Sequence, residues 1–286
     1  MSELFCTELT GRKLLRISGE DAARFLHGLV TCDVEHLKPG EIAFGALLSP
    51  QGKILFDFFI VRSVNGFILD TDASMADDLA KRLAFYKLRA KVDISPMDER
   101  AHVFAIWGSD AAGKITADGV VAFDPRLKEM GARAYIRRAP PDVEEVPLAA
   151  WHRHRIALGM PKGGLDFVFG DTFPHEALMD QFKGVDFAKG CYVGQEVVSR
   201  MQHRGTARKR LIQVTSETAL PESGAEILVD GSACGALAST DGKAGLAMAR
   251  LDRAAGHAMG KPAYAGTTEI RLTIQPWARF EWPQAG

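Results

Sequence analysis

The stretch VDFAKGCYVGQEVVSRMQHRG, from Val185 to Gly205, organises the reading of this chain. Gly190 and Gly194 bracket Cys191 and Tyr192, and Val197, Val198 and Met201 then recur at helical spacing. The spacing places Cys191 just ahead of a helix N-terminus, with the cation of Lys189 two residues before it. Both features favour thiolate and predict a thiol pKa below the free value of about 8.5. The plainer reading of a lone cysteine is a small buried hydrophobe, but the flanking glycines and the lysine favour a reactive group. Glu196 and Arg200 stand four apart, an ordinary helical ion pair, and Arg204 continues that face. From Gln181 to Arg210 there are seven Lys or Arg against Asp186 and Glu196, a local balance of +5. Such a run suits an anionic partner or a solvated face equally well. An RNA-binding surface would interleave exposed aromatics, and this run holds only Phe182, Phe187 and Tyr192, so nucleic acid is not the expected partner.

Downstream of Gly205, Leu211 to Val214, Glu226 to Val229, Gly245 to Ala249 and Glu269 to Ile274 are short extended runs separated by glycines, with no strong helical stripe. They predict a compact β-barrel over 206–286. Upstream, the pattern over 1–205 is mixed α+β, with a split into two lobes near 95. Lys13 to Ser18 reads as a strand, after which Ser18 is placed to cap a helix carrying Ala22, Phe25, Leu26 and Leu29. Ile42 to Leu48 and Ile54 to Arg62 flank Ser49-Pro50-Gln51-Gly52, a turn sequence with Pro second and Gly fourth. Asn65-Gly66 turns the chain again into Phe67 to Asp70. Ser74 is placed to open a second helix with the stripe Met75, Leu79, Leu83 and Tyr86. Ala101 to Trp107, Val120 to Phe123 and Arg133 to Arg138 read as strands, and Pro147 to Leu158 as a helix stopped by Gly159 and Pro161.

Composition sets the outer bounds. At 286 residues, 47% hydrophobic and 25% charged, the chain is an ordinary folded protein of about two domains. Its charge balance, 35 − 36 = −1, gives no global footprint for DNA or for an anionic membrane. Cys6, Cys32, Cys191 and Cys234 are scattered singly, without a CxxC pair, which argues against a structural zinc site. Free thiols and an N-terminal stretch without an export signal lead us to expect the cytoplasm. Gly108 to Lys114 matches seven positions of a P-loop, but Ile115 stands where Ser or Thr would hold magnesium, and Asp118-Gly119 interrupts any following helix.

Lys189-Gly190-Cys191-Tyr192-Val193-Gly194-Gln195-Glu196 resembles the KGCYxGQE signature of the YgfZ family, relatives of the glycine-cleavage T-protein that act in iron–sulfur protein maturation. Phe25 to Val34 is similar to the family's F-x-x-G-x-x-T-x-D-V pattern, and Ser49 to Lys53 to its glycine–lysine turn. Tyr86 to Val92 and Arg208 to Leu211 look most like the branch of the mitochondrial four-iron, four-sulfur assembly factor. The resemblance implies an α+β, three-lobed, T-protein-like aminomethyltransferase fold that binds tetrahydrofolate or a derivative, with a C-terminal β-barrel. It implies Lys189 and Cys191 as the functional pair. It also implies pterin contacts from Glu176, in Pro174-His175-Glu176, and from Asp57 on the strand after the glycine turn. One carboxylate can accept adjacent pterin N–H groups, and Asp57 inside an apolar run needs a polar reason to be buried. Tyr192 is a further candidate cofactor contact, and the anionic folate tail would suit Arg200, Arg204, Arg208 or Arg210. The expected function is a folate-binding accessory factor for iron–sulfur clients or scaffold proteins, with no resident metal and no membrane partner. The alternatives are a folate-dependent one-carbon transferase, in which case the chain would be an enzyme, and an RNA-binding module.

Overall fold

The computed structural model describes residues 4–98, 100–108, 115, 118–205 and 207–283. The P-loop-like match therefore lies, from Ser109 to Lys114, outside the described residues. In chain order the protein forms β1 (Leu4–Glu8), β2 (Arg12–Ser18), α1 (Ala22–His27), β3 (Ile42–Leu48), β4 (Ile54–Ser63), β5 (Gly66–Asp72), α2 (Ala76–Lys87), β6 (Asp93–Pro96), β7 (His102–Gly108), β8 (Gly119–Phe123), β9 (Ala132–Ile136) and β10 (Glu144–Glu145). There follow α3 (Leu148–Ala157), α4 (Gln195–Arg204), β11 (Lys209–Thr215), β12 (Glu226–Val229), β13 (Ser232–Asp241), β14 (Ala244–Arg250), α5 (Leu251–Ala258), β15 (Ala263–Ala265), β16 (Thr268–Glu269) and β17 (Arg271–Thr273). These elements fall into two compact units, Met1–Trp151 with Phe182–Gln195, and His152–Gln181 with Glu196–Gly286.

The first unit contains two five-stranded sheets, ordered β3-β4-β5-β2-β6 and β10-β1-β7-β9-β8. The Ser49–Gly52 turn forms as its sequence predicts: the Gly52 N–H donates to Ser49 O at 2.8 Å, and Gly52 takes φ +79°, a value only glycine adopts without strain. Alternation along β4 sends Phe56, Phe58 and Ile60 into a core shared with Leu26 of α1, Leu79 and Leu83 of α2, and Leu15, Ile17 and Leu69. Asp57 and Phe59 take the opposite face. There Asp70, fully buried, accepts from Arg12, Arg133 and the Tyr135 hydroxyl. Arg133 lies 3.9 Å above the Phe59 ring, and Arg126, paired with Asp124, lies 4.8 Å from it. One sheet is thus bound to the other through buried, mutually neutralising charge.

Two helix starts differ from expectation. Ser18 closes β2 in register with Asp93, and the N-cap of α1 is Asp21, whose carboxylate accepts the Lys91 N–H at 2.8 Å instead of capping its own helix. The second helix is opened by Asp72, which accepts from the Ser74 N–H at 3.0 Å and leads through a 3₁₀ turn into α2. At the second helix an aspartate makes the local hydrogen bond expected of the serine, whereas at α1 no side chain caps the helix and Asp21 ties its start to Lys91.

The second unit is dominated by a seven-stranded sheet ordered β16-β15-β12-β13-β14-β11-β17. Its two edge strands, β16 and β17, are separated in the chain by Ile270 alone, so the sheet must curl back until its edges nearly meet. Ile212, Val214, Ile227, Leu237, Ala247 and Leu272 fill the interior. α5, which the apolar pattern did not indicate, packs through Leu251, Ala254 and Ala255, two of them too small to give a helical stripe.

Candidate functional site around Cys191

Cys191 is the exposed thiol among the described residues; Cys6, Cys32 and Cys234 are buried. Burial pushes the Cys32 thiol up to about 12 and the other two to about 11, which makes them inert near neutrality. Cys191 lies four residues ahead of α4, which begins at Gln195. Its loop is pinned from both sides. The Lys189 ammonium donates to the carbonyls of His27 and Val30, both at 2.6 Å, and of Cys32 at 3.0 Å, so it closes the open C-terminal end of α1. The Asp186 carboxylate accepts the N–H groups of Ala188 and Lys189 at 2.8 and 3.1 Å. Partial burial lowers the Lys189 pKa, opposed by nearby Cys32, Asp33 and Asp186.

Downstream of the thiol, Gly194 takes φ +81°, and a Cβ there would stand 2.5 Å from Ser49 O. The two glycine-bearing patterns singled out in the sequence therefore meet, the signature loop lying directly on the Ser49–Gly52 turn. Tyr192 is buried beside Lys189, with 5.4 Å between the ammonium and the ring. Its hydroxyl has no hydrogen-bond partner among the described residues, and burial pushes its pKa to about 12. Beside the loop, Asp33 accepts from His36 at 2.6 Å and faces His27 at 3.3 Å. Asp33 is held below the usual carboxylate range because these hydrogen bonds and nearby charges outweigh its desolvation. Asp33 lies in the Phe25–Val34 pattern, but its grouping with His27 and His36 arises only where the chain folds back after α1.

Asp57 is buried on β4 in the first unit, opposite Ala46 of β3. Glu176 belongs to the second unit and is partly buried, accepting the Phe173 N–H at 2.8 Å. Arg210 is buried there, clasped by both Asp180 oxygens at 2.9 Å and donating to His175 O at 3.0 Å. Arg200 pairs with Glu196 at 2.7 Å on the exposed side of α4, and Arg204 and Arg208 are exposed. Among the described residues no cluster of three or more His, Cys, Asp or Glu side chains could hold a metal, and no helix is long and apolar enough to cross a membrane.

Residues 6–124 match the GCVT N-terminal domain, and residues 208–280 match the CAF17 C-terminal beta-barrel domain. The chain is similar to the mitochondrial iron–sulfur cluster assembly factor IBA57 of Homo sapiens, 35% identical over 246 residues, covering 77% of this chain and 68% of that one. It is also similar to the mitochondrial IBA57 homologues of Chaetomium globosum, 31% identical over 78% of this chain and 59% of that protein, and of Neurospora crassa, 32% identical over 77% and 56%. The chain thus spans less than two thirds of these two fungal relatives. The crystal structure of the glycine cleavage system aminomethyltransferase T from Bartonella henselae superposes with a TM-score of 0.76, at 17% identity, over 99% of this chain and 88% of that one. The fold is that of the T-protein, mixed α and β with a nearly closed C-terminal barrel, as the sequence resemblance implied. The expectation of a cytoplasmic protein is overturned, since the relatives are named as mitochondrial.

Proposed function

Because the chain belongs to the family of the iron–sulfur cluster assembly factor IBA57, within the YgfZ and CAF17 branch of T-protein-like proteins, we propose that it is a tetrahydrofolate-binding accessory factor for iron–sulfur cluster assembly or repair in client proteins. The observation that carries this reading is an exposed thiol, Cys191, on a loop clamped by Lys189 and Gly194. A clamped loop presents its sulfur in one place, which favours transient exchange with a partner. One thiolate cannot hold a cluster, which wants about four ligands, so a partner supplies the others. In this proposal Lys189 acts with Cys191 by fixing the loop and adding positive charge to it.

For folate we put forward Asp57 and Glu176 as acceptors for pterin N–H groups. Tyr192 adds a buried hydroxyl that has no hydrogen-bond partner among the described residues. Arg204 and Arg208 are the exposed cations for the glutamate tail, ahead of Arg200 and Arg210, which already pair with Glu196 and Asp180. Within the first unit, a buried carboxylate, Asp57, and a buried hydroxyl, Tyr192, are groups of the kind that a pterin's polar edge would take. Bound folate would supply a one-carbon carrier.

The central test restores cluster content in cells lacking the chain. Cys191→Ala is expected to fold and bind tetrahydrofolate yet leave cluster-dependent enzymes inactive, and full restoration by this variant would overturn the role. Titration with tetrahydrofolate and with its 5-formyl derivative is expected to show at least tenfold weaker binding by Glu176→Ala and by Asp57→Asn; unchanged affinity in both removes the folate assignment. The T-protein fold favours a second reading, a folate-dependent aminomethyl transferase. Product formed from tetrahydrofolate and an aminomethyl donor would support it.

A further inference from the structure

The run Lys81-Arg-Leu-Ala-Phe-Tyr-Lys-Leu-Arg-Ala-Lys91 holds five cations and no carboxylate in eleven residues of a chain whose net charge is −1. It forms the C-terminal half of α2 and the turn after it. Leu79 and Leu83 anchor the helix in the core, and Tyr86 packs against the same cluster. The opposite side exposes Arg82, Phe85, Leu88 and Arg89, with Phe85 73% and Leu88 89% accessible. Lys81 and Lys91 pair with Asp78 and Glu20. Arg82, Lys87 and Arg89 have no carboxylate partner among the described residues.

Leu88 is the informative residue. It occupies the C-cap of α2 with φ 45° and ψ −107°, the mirror image of an ordinary extended conformation, which glycine reaches freely and leucine only under strain. Backbone geometry and solvent both disfavour leucine here, so folding alone does not account for it. Phe85 stands edge-on to Tyr86, with ring centroids 5.7 Å apart, so its ring too is held in a defined pose at the surface. Two exposed apolar side chains on one helix end, beside three cations with no carboxylate partner among the described residues, form the pattern of an interface centre with a charged rim.

We propose that this surface docks an acidic protein, whose apolar socket receives Leu88 and Phe85 and whose carboxylates meet Arg82, Lys87 and Arg89. Phe85 is the one exposed ring on this face, and the more exposed Leu88 offers none for a second nucleobase to stack upon. Asp77 and Asp78, exposed at the other end of the same helix, would be repelled by an anionic lipid sheet. A folded partner can accommodate both ends of the helix. The proposal rests on the accessory-factor reading above and supplies the surface by which a client or scaffold would be held while Cys191 acts.

The test uses the full chain and Leu88→Gly, which relieves the backbone and is therefore expected to melt at or above the wild-type temperature. The probe is a fluorescein-labelled amphipathic peptide of Glu and Leu; a uridylate oligonucleotide and phosphatidylglycerol vesicles serve as competing probes. Leu88→Gly and Phe85→Ser are each expected to weaken peptide binding at least tenfold, with Val64→Ser, at another exposed apolar position, unchanged. In cells, Leu88→Gly is expected to lower client cluster content while tetrahydrofolate affinity stays at the wild-type value. Failure of the peptide to bind, equal binding by Leu88→Gly, tighter binding of the oligonucleotide or vesicles, or full cluster content with Leu88→Gly would each overturn the docking surface. None of these outcomes touches the Cys191→Ala test, so the two proposals fail separately.

Discussion

Lys189 and Gly194 constrain the Cys191 loop in opposite ways, one by what its side chain holds and the other by having none. Removing the ammonium with Lys189→Met leaves the carbonyls of His27, Val30 and Cys32 without their charged donor. Hydrogen bonds from charged groups are worth about 1.5–3 kcal/mol each at most, and water can reach this half-buried site, so we expect a total loss of about 2–3 kcal/mol. The melting midpoint should fall by about 5–10 °C, as calorimetry would show. Gly194→Ala adds a methyl at φ +81° against Ser49 O, where backbone meets backbone and neither can yield cheaply. A loss of about 2 kcal/mol or more is expected in chemical denaturation, together with faster alkylation of Cys191 as the loop lifts from its turn. Unchanged stability in both variants would show that the loop is not clamped.

β11 depends on an ion pair that neither partner's local sequence announces. Arg210, at the start of the strand, is held by Asp180, whose side chain is 5% exposed, and its guanidinium lies over the Phe280 ring at 4.5 Å. Removing one partner of a buried pair leaves the other charge uncompensated, at a cost of about 3–5 kcal/mol. Asp180→Ala should therefore unfold at markedly lower urea concentration, whereas Glu196→Ala, which breaks an exposed pair on α4, should shift the midpoint very little. Equal effects from the two variants would contradict this ranking. The same contrast bears on the folate-tail candidates: on sequence the four arginines are equivalent, and only burial separates Arg210 from Arg204 and Arg208.

The buried charge between the sheets of the first unit is invisible in the local sequence. Desolvation alone would raise the Asp70 carboxyl, but Arg12 and Arg133 hold it below the usual carboxylate range. A carboxyl lowered on folding adds stability that is complete above its unfolded value of about 3.9 and is lost as pH falls toward the folded value. The urea midpoint should accordingly drop between pH 5 and pH 2, and Asp70→Asn, destabilised at pH 7, should show a shallower acid dependence over that range. An identical acid profile in the variant would remove Asp70 from this account. The sequence by itself determined much of this molecule. Period-two runs, turn residues and glycines specified the meander of β3, β4 and β5 and several barrel strands, because strands and turns are encoded within a few residues. The KGCYxGQE resemblance identified the T-protein fold and pointed to Cys191. β1, β13 and α5 escaped because their apolar content is short or small, and the helix starts because Ser18 ends a strand while Asp72, two residues before Ser74, makes the capping bond there. Only the tertiary structure decided what Lys189 holds, that Gly194 lies on the Ser49–Gly52 turn, and that Asp70 and Arg133 neutralise one another, since each joins residues separated by tens to hundreds of positions. Local pattern records which face of a strand is apolar; it does not record which distant charge will neutralise the polar residue on the other face.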